Sequence, residues 1–433
     1  MSRATRARIR AQLDNNRIKF EFYSNRIRLK IEDQISHFDP QLDNVSVSRM
    51  FSYIHVDGRS ISSSDKTIEL AKHKGTIKTI QSEDGDVIDC VDIYKQPAFD
   101  HPLLRNHTIQ MKPNSFIGGI EAENFEPKLI QDWYRNEQCP EGTIPIVRAQ
   151  IPKPTRTLAF VPPRKDLDKV EIKADPRTNH EYAQVSVDDG NYFGVSAWLN
   201  VWNPATFDTE FSLAQIWVVS GHEYSALNTV EAGWITNSDQ KQTRLFIYWT
   251  SDGYQKTGCY NLVCPGFVQT NNTVVLGSLL EPVSTYGGTQ FDINIFIHKV
   301  KHILLKMFQD KQSGNWWLRI QQIDVGYWPG SIFTTLSDRA DMLSWGGEIV
   351  NLQSQGHHTS TQMGSGHFPS EGFNKASYIR NLRHMDESGS IKDAENVVPY
   401  VTRPECYDLQ MGDMKNFGTH FFFGGPGYSD KCQ

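Results

Sequence analysis

Two glutamates stand in apolar surroundings: Glu231 in Thr229-Val230-Glu231-Ala232-Gly233-Trp234 and Glu348 in Trp345-Gly346-Gly347-Glu348-Ile349-Val350. Glutamates usually sit among polar neighbours at the surface. A carboxyl flanked by Val, Ala, Ile and Trp is set to lose its water, and desolvation raises its pKa towards the range useful for proton transfer. Two such groups converging on one cleft form a carboxyl dyad, acid/base machinery that needs no metal, cysteine or cofactor. The competing reading of each is a buried structural carboxylate satisfied by backbone N–H groups or an arginine.

Other standard chemistries lack their signatures. The chain has no HExxH, no Walker loop and no GxSxG; around Ser365, Met363 and His367 stand where a nucleophile elbow needs glycines. Gly364-Ser365-Gly366-His367-Phe368-Pro369 fails the dinucleotide pattern at its last position. His357, His358 and His367 are metal-ligand or general-base types, but they are read here as solvated histidines of a glycine-rich loop. No metal or cofactor is expected.

The six cysteines, Cys90, Cys139, Cys259, Cys264, Cys406 and Cys432, fall into three sequential pairs, which suits three disulfides and an oxidising compartment. Cys259 and Cys264 have no second Cys/His pair at zinc-finger spacing, so the pair reads as a tight ring that fixes a loop. Asn44, Asn106 and Asn271 lie in N-x-S/T sequons, candidates for glycosylation.

The elements that must position the glutamates read as strands. Val195–Trp202, Leu213–Val219, Leu245–Trp249, Phe291–Ile297 and Trp316–Ile320 are short apolar runs, and Phe291, Ile293, Ile295 and Ile297 alternate onto one face. Gly233, Gly253, Gly287-Gly288 and Gly346-Gly347 read as turn punctuation. Many short strands with little helical periodicity predict an all-β protein, an antiparallel β-sandwich. One segment breaks the rhythm: His298–Asp310 is basic and helix-compatible, and reads as a surface insertion.

The bulk numbers agree. At 433 residues with 38% hydrophobic content, the chain has room for one large domain and a smaller one, or for up to three ordinary domains. A formal charge of -6 argues against a nucleic-acid binder, and no run approaches the 18 or so apolar residues of a membrane span. Residues 1–65 read as a polar, poorly ordered leader; residues 1–30 carry nine Arg/Lys and no apolar signal-type core. Residues 66–150 form a small, mainly β unit, with Ile88–Ile93 and Gly142–Val147 as strands and Pro145 at an edge. Residues 151–179, with five prolines among charges, are a linker, and 180–433 are the sandwich.

Several runs resemble a known family. Gln96-Pro97-Ala98-Phe99-Asp100, His101-Pro102-Leu103-Leu104-Arg105-Asn106-His107 and Cys139-Pro140-Glu141-Gly142-Thr143-Ile144-Pro145 resemble the propeptide of the plant neprosin-like proteins. Glu231-Ala232-Gly233-Trp234, Gly258-Cys259-Tyr260-Asn261-Leu262, Cys264-Pro265-Gly266-Phe267, Gly326-Tyr327-Trp328-Pro329, Trp345-Gly346-Gly347-Glu348 and Phe422-Phe423-Gly424-Gly425-Pro426-Gly427 are similar to motifs of its catalytic domain. The resemblance implies a glutamic endopeptidase made as a zymogen, with a β-sandwich catalytic domain and cleavage after proline. It places the catalytic pair at Glu231 and Glu348. Trp234, Tyr260 and Trp328 are its candidate substrate-binding aromatics. It further implies an extracellular or vacuolar monomer whose partners are proline-rich peptides and its own propeptide as inhibitor.

As chemistry, two carboxyls a few ångströms apart share one proton at acid pH, one activating water and the other hydrogen-bonding the scissile carbonyl. The alternative is a catalytically inactive, carbohydrate-binding or carbohydrate-active sandwich, since glycosidases also use two carboxyls flanked by aromatics.

Overall fold

The computed structural model describes residues 72–113, 131, 133, 137–148, 179–237, 241–300, 314–353 and 356–433, with short strands between residues 8 and 60. The chain divides into two units, Met1–Glu69 and Leu70–Gln433. In the first, Arg8–Leu13, Asn16–Tyr23 and Arg26–Lys30 form an antiparallel ladder, and His55–Val56 pairs with Arg59–Ser60. These strands fall in the segment read as a leader. All but the last residue of the 151–179 linker and the greater part of the 298–310 insertion lie outside the described residues. The insertion's first three residues do not: His298 and Lys299 end a sheet strand, and both they and Val300 are buried.

The second unit begins with a three-stranded antiparallel sheet of β1 (Thr76–Gln81), β2 (Val87–Asp92) and β3 (Thr143–Val147). Pro145, which lacks an N–H, is accommodated because β3 pairs on one side alone. The Cys90–Cys139 disulfide ties β2 to the approach to β3, within a small core of Ile80, Ile88 and Trp133.

The sandwich follows. Its strands are β4 (His180–Val187), β5 (Gly194–Asn200), β6 (Phe211–Ser220), β7 (Asn228–Asn237), β8 (Arg244–Thr250), β9 (Cys259–Tyr260), β10 (Val268–Gln269), β11 (Asp292–Lys299), β12 (Trp316–Ile320), β13 (Ile323–Trp328), β14 (Met342–Val350), β15 (Met363–Gly364), β16 (Ser377–Met385), β17 (Val398–Val401) and β18 (Phe421–Gly425). One sheet runs β9-β8-β7-β6-β14-β4-β17. The other runs β10-β13-β12-β11-β5-β16-β18-β15, with Ile391–Asp393 added at β16 and Asp408–Met411 at β18. All pairings are antiparallel, so the predicted all-β sandwich is what forms.

Alternation builds the core. Ala214, Ile216 and Val218 of β6, Val230, Ala232 and Trp234 of β7, and Leu343, Trp345 and Ile349 of β14 face Val195, Ala197 and Leu199 of β5 and Ile293, Ile295 and Ile297 of β11. Period-two apolar residues fill the space between two sheets because successive side chains leave a strand on opposite sides. The other two predicted disulfides, Cys259–Cys264 and Cys406–Cys432, also form.

Gly233 and Gly346 correct one expectation. They lie inside β7 and β14, not in turns. A Cβ on Gly233 would come 2.0 Å from the Ala214 carbonyl oxygen, and one on Gly346 would come 2.4 Å from the Gln184 Cβ. The strands approach so closely there that only glycine fits.

The β1–β3 unit docks on one margin of the sandwich. Gln96 uses its carboxamide as a substitute strand: Nε2 donates to the Gln269 carbonyl at 3.1 Å, and Oε1 accepts from the Gln269 N–H at 2.8 Å, on edge strand β10. Arg244 pairs with Asp86 at 2.6 Å, and Ile93 and Leu104 enter the main core. The Tyr327 hydroxyl accepts from the Gln110 N–H at 2.9 Å and meets His107 Nε2 at 2.8 Å. Among the described residues, none of these contacts reaches Glu231 or Glu348.

Candidate active site

Register brings the two glutamates to one face. Glu231 on β7 lies opposite Trp217 of β6, and Glu348 on β14 lies opposite Leu213 of the same strand. Directly paired residues share a face, as do residues two and four apart along a strand. Glu231, Trp217, Gln215, Leu213 and Glu348 therefore stand together on the face of the seven-stranded sheet turned away from the sandwich core. Central strand β6 runs between the two carboxyls. On a flat ladder their Cα atoms are about 10 Å apart across the strands and about 13 Å along them.

Each carboxyl has its own set of donors. Glu231 Oε1 accepts from Thr229 Oγ1 at 2.7 Å and from the Tyr254 hydroxyl at 2.5 Å, and Gln215 adds a side-chain hydrogen bond. Tyr254 has φ +62, uncommon for a bulky residue, and its N–H is held by Thr250 Oγ1 at 2.9 Å. The Asp252 carboxylate accepts from the N–H groups of Gln255, Lys256 and Thr257 and so knits the loop that aims the phenol. Glu348 Oε1 meets His180 Nδ1 at 2.5 Å, and its cross-strand neighbour Tyr182 hydrogen-bonds it as well. No hydrogen bond joins the two carboxyls to each other among the described residues. This differs from the expectation of two groups in direct contact sharing one proton.

Both glutamates are buried, 5% and 6% exposed. Burial pushes the Glu231 carboxyl up to about 7; the Tyr254 and Thr229 hydroxyls oppose that rise, and the nearby Glu348 charge adds to it. Burial also lifts the Tyr254 and Tyr182 phenols well above their ordinary value, so both remain O–H donors.

The predicted aromatics divide. Tyr260 lies on the carboxyl face, in register with Tyr248 and stacked on Phe246 at 5.9 Å between centroids. Trp234 and Trp328 do not. Trp234 is three residues from Glu231 and so points to the opposite side of β7, into the core, where its Nε1 donates to the Asn200 carbonyl. Trp328 packs on Phe267 in the same core.

The histidine-rich loop is also not as read. His358 is buried and its Nε2 meets Glu181 at 2.9 Å; hydrogen bonding by this carboxylate raises the His358 pKa against the effect of burial. His357 stacks on Tyr428, and His367 pairs with Glu371 at the surface. Among the described residues, the cluster of ligand types formed by His358, Cys406 and Cys432 contains two disulfide-bonded sulfurs and cannot hold a metal as thiolates. Of the sequons, Asn106 is exposed. The Asn271 Oδ1 is taken up by Thr273 and Val274 in a local turn, and Asn44 lies outside the described residues.

Gln215, Tyr182, His180, Thr229 and Tyr254 are the site residues that sequence reasoning missed. Gln215 left one trace, a lone amide in the apolar run Leu213-Ala214-Gln215-Ile216-Trp217 on the Leu213/Trp217 parity.

Among solved structures, scytalido-glutamic peptidase with a peptide-based transition state analog is similar at TM-score 0.30 and 9% identity, covering 57% of this chain and 98% of its own. SCP-B, a member of the eqolisin family of peptidases in complex with the tripeptide Ala-Ile-His, is similar at TM-score 0.29 and 9% identity, covering 56% and 96%. The family model of the neprosin activation peptide matches residues 79–186, across the β1–β3 unit and on through β4. The neprosin model itself matches residues 208–426, which contain both glutamates and most of the sandwich. The chain belongs to the neprosin family and carries that family's activation peptide ahead of its sandwich domain.

Proposed function

We propose that the protein is the zymogen of a glutamic endopeptidase that cleaves after proline at acid pH, with Glu231 and Glu348 as its catalytic pair. The observation that carries this reading is the placement of two buried carboxyls on one sheet face, each locked by its own hydrogen bonds, in a chain with an activation peptide. Burial favours the neutral form of Glu231 below about pH 7, which suits it to donate a proton to the scissile carbonyl and stabilise the oxyanion. Glu348, whose Oε1 is held by His180 Nδ1 and which the Tyr182 phenol also hydrogen-bonds, is assigned the complementary role of taking a proton from the attacking water. Sited two strands apart, the pair acts from opposite sides of the peptide bond.

The aromatic wall of Phe246, Tyr248 and Tyr260 extends from Glu231 across β8 and β9 and offers flat faces to a proline ring. Both carboxyls are buried in the full-length chain, which is compatible with a zymogen. Disulfides and the absence of a long apolar helix among the described residues suit an extracellular or vacuolar protein. The test is digestion of a proline-containing peptide panel by acid-treated protein from acid to neutral pH, with a polysaccharide panel alongside. Cleavage after proline at acid pH is expected. Polysaccharide hydrolysis, or no turnover of either, counts for the carbohydrate-active or inactive alternative.

A further inference from the structure

Between the rows of the two carboxyls runs a lane that holds several buried polar atoms without partners. The register places Gln184 of β4, Gly346 of β14, Gln215 of β6 and Gly233 of β7 side by side, all on the glutamate face. The two glycines leave no side chain on either flank of Gln215. Gln215 lies two residues along β6 from the row of Glu348 and two from the row of Glu231, on the strand between them.

Its polar atoms are unevenly used. Gln215 hydrogen-bonds Glu231, a carboxyl partner that its Nε2 serves as donor, while its buried Oε1 has no partner. In the same lane both amide atoms of Gln184 are buried and unpartnered, and in the next row so is Ser344 Oγ. Buried polar atoms are rarely left unsatisfied, because each costs most of its desolvation free energy. Several on one face, beside two glycines that carry no side chain over the sheet, mark a stretch that a ligand with its own N–H and C=O groups would satisfy. A peptide backbone is such a ligand.

We propose that Gln215 is a third working residue of the site, whose Nε2 orients Glu231 while its Oε1 accepts the N–H of the peptide bond to be cut. The inference rests on the glutamic-peptidase reading and deepens it. A trans peptide unit is planar with N–H and C=O opposed, so holding the N–H fixes the direction of the carbonyl. One short amide thereby sets both the acid and the bond it protonates.

The experiment pairs two substrates with two variants, using acid-processed enzyme. One substrate is a proline peptide; the other is its depsipeptide, with an ester oxygen replacing the scissile N–H. Gln215→Met, which keeps length and removes both polar atoms, is expected to lose about tenfold or more in kcat/KM on the amide and distinctly less on the ester. Gln215→Glu, neutral and still bearing a carbonyl acceptor at acid pH, is expected to recover the amide activity there and lose it as pH rises. Equal losses on both substrates, or no loss on the amide, overturn the inference, and Gln215→Glu alone decides it if Gln215→Met does not fold. Wild type that cleaves neither substrate removes the peptidase reading together with it. Wild type that cleaves, with inactive Glu231→Gln and Glu348→Gln but undiminished Gln215 variants, removes this inference only.

Discussion

Replacing the buried acid Glu231 with glutamine is predicted to stabilise the protein at neutral pH. The carboxyl is raised from an ordinary 4.5 to about 7, chiefly by burial. A group whose folded-state pKa is raised binds its proton more tightly when folded. Its ionisation therefore costs stability as pH climbs from about 4.5, and the full cost is reached above about 7. That rise corresponds to about 3 kcal/mol. A glutamine side chain at this position has no charge to bury, and its carbonyl oxygen still accepts from Thr229 and Tyr254. The Glu231→Gln variant should match wild type near pH 4.5 and exceed it by about 3 kcal/mol at pH 7.5. For a unit running from Leu70 to Gln433, about 2 cal/mol/K per residue of unfolding entropy turns this into about 4 °C in Tm. Thermal unfolding of intact zymogen at the two pH values reads it directly. A variant no more stable than wild type at pH 7.5, or one equally ahead at both, would refute the claim that burial disfavours the Glu231 charge.

Two further outcomes follow from the geometry. Gly346→Ala brings a new Cβ to 2.4 Å from the Gln184 Cβ, with backbone atoms of the same strand 2.5 Å away, so the strands must part. It should lower stability by about 1–3 kcal/mol and reduce activity, measured by denaturant unfolding and peptide cleavage; unchanged stability would show that the close approach is not needed. His107 is held below its ordinary pKa of 6.5 by burial, and its Nε2 faces a hydroxyl that already accepts from Gln110. Its contribution to docking is present above pH 6.5 and is lost as pH falls below that value, so the activation unit should loosen on acidification. After nicking in the linker, release should be faster at pH 5 than at pH 7.5, and His107→Gln should narrow the difference; faster release at neutral pH contradicts this.

Much of the fold was legible because alternation states it openly. Ile293, Ile295 and Ile297 could only line one face of a strand, and they do. The glutamates were legible for the opposite reason, as charges where the pattern called for apolar residues. Parity was under-used: Trp234 sits three residues from Glu231 and had to point the other way. Gly233 and Gly346 read as turns because local sequence does not distinguish a turn from a close approach of strands. Tyr182 and His180 were out of reach, since their place beside Glu348 is set by the pairing of β4 with β14, strands far apart in sequence. Tyr254 depends on a loop conformation with positive φ that its own residue type disfavours.

The most direct test of the central claim is cleavage of one proline-containing peptide at acid pH by acid-processed wild type, Glu231→Gln and Glu348→Gln, each first shown to be folded. The account predicts cleavage after proline by wild type and loss of most activity in both variants. Near-wild-type turnover by the two variants would show that this buried pair is structural and that the catalytic groups lie elsewhere.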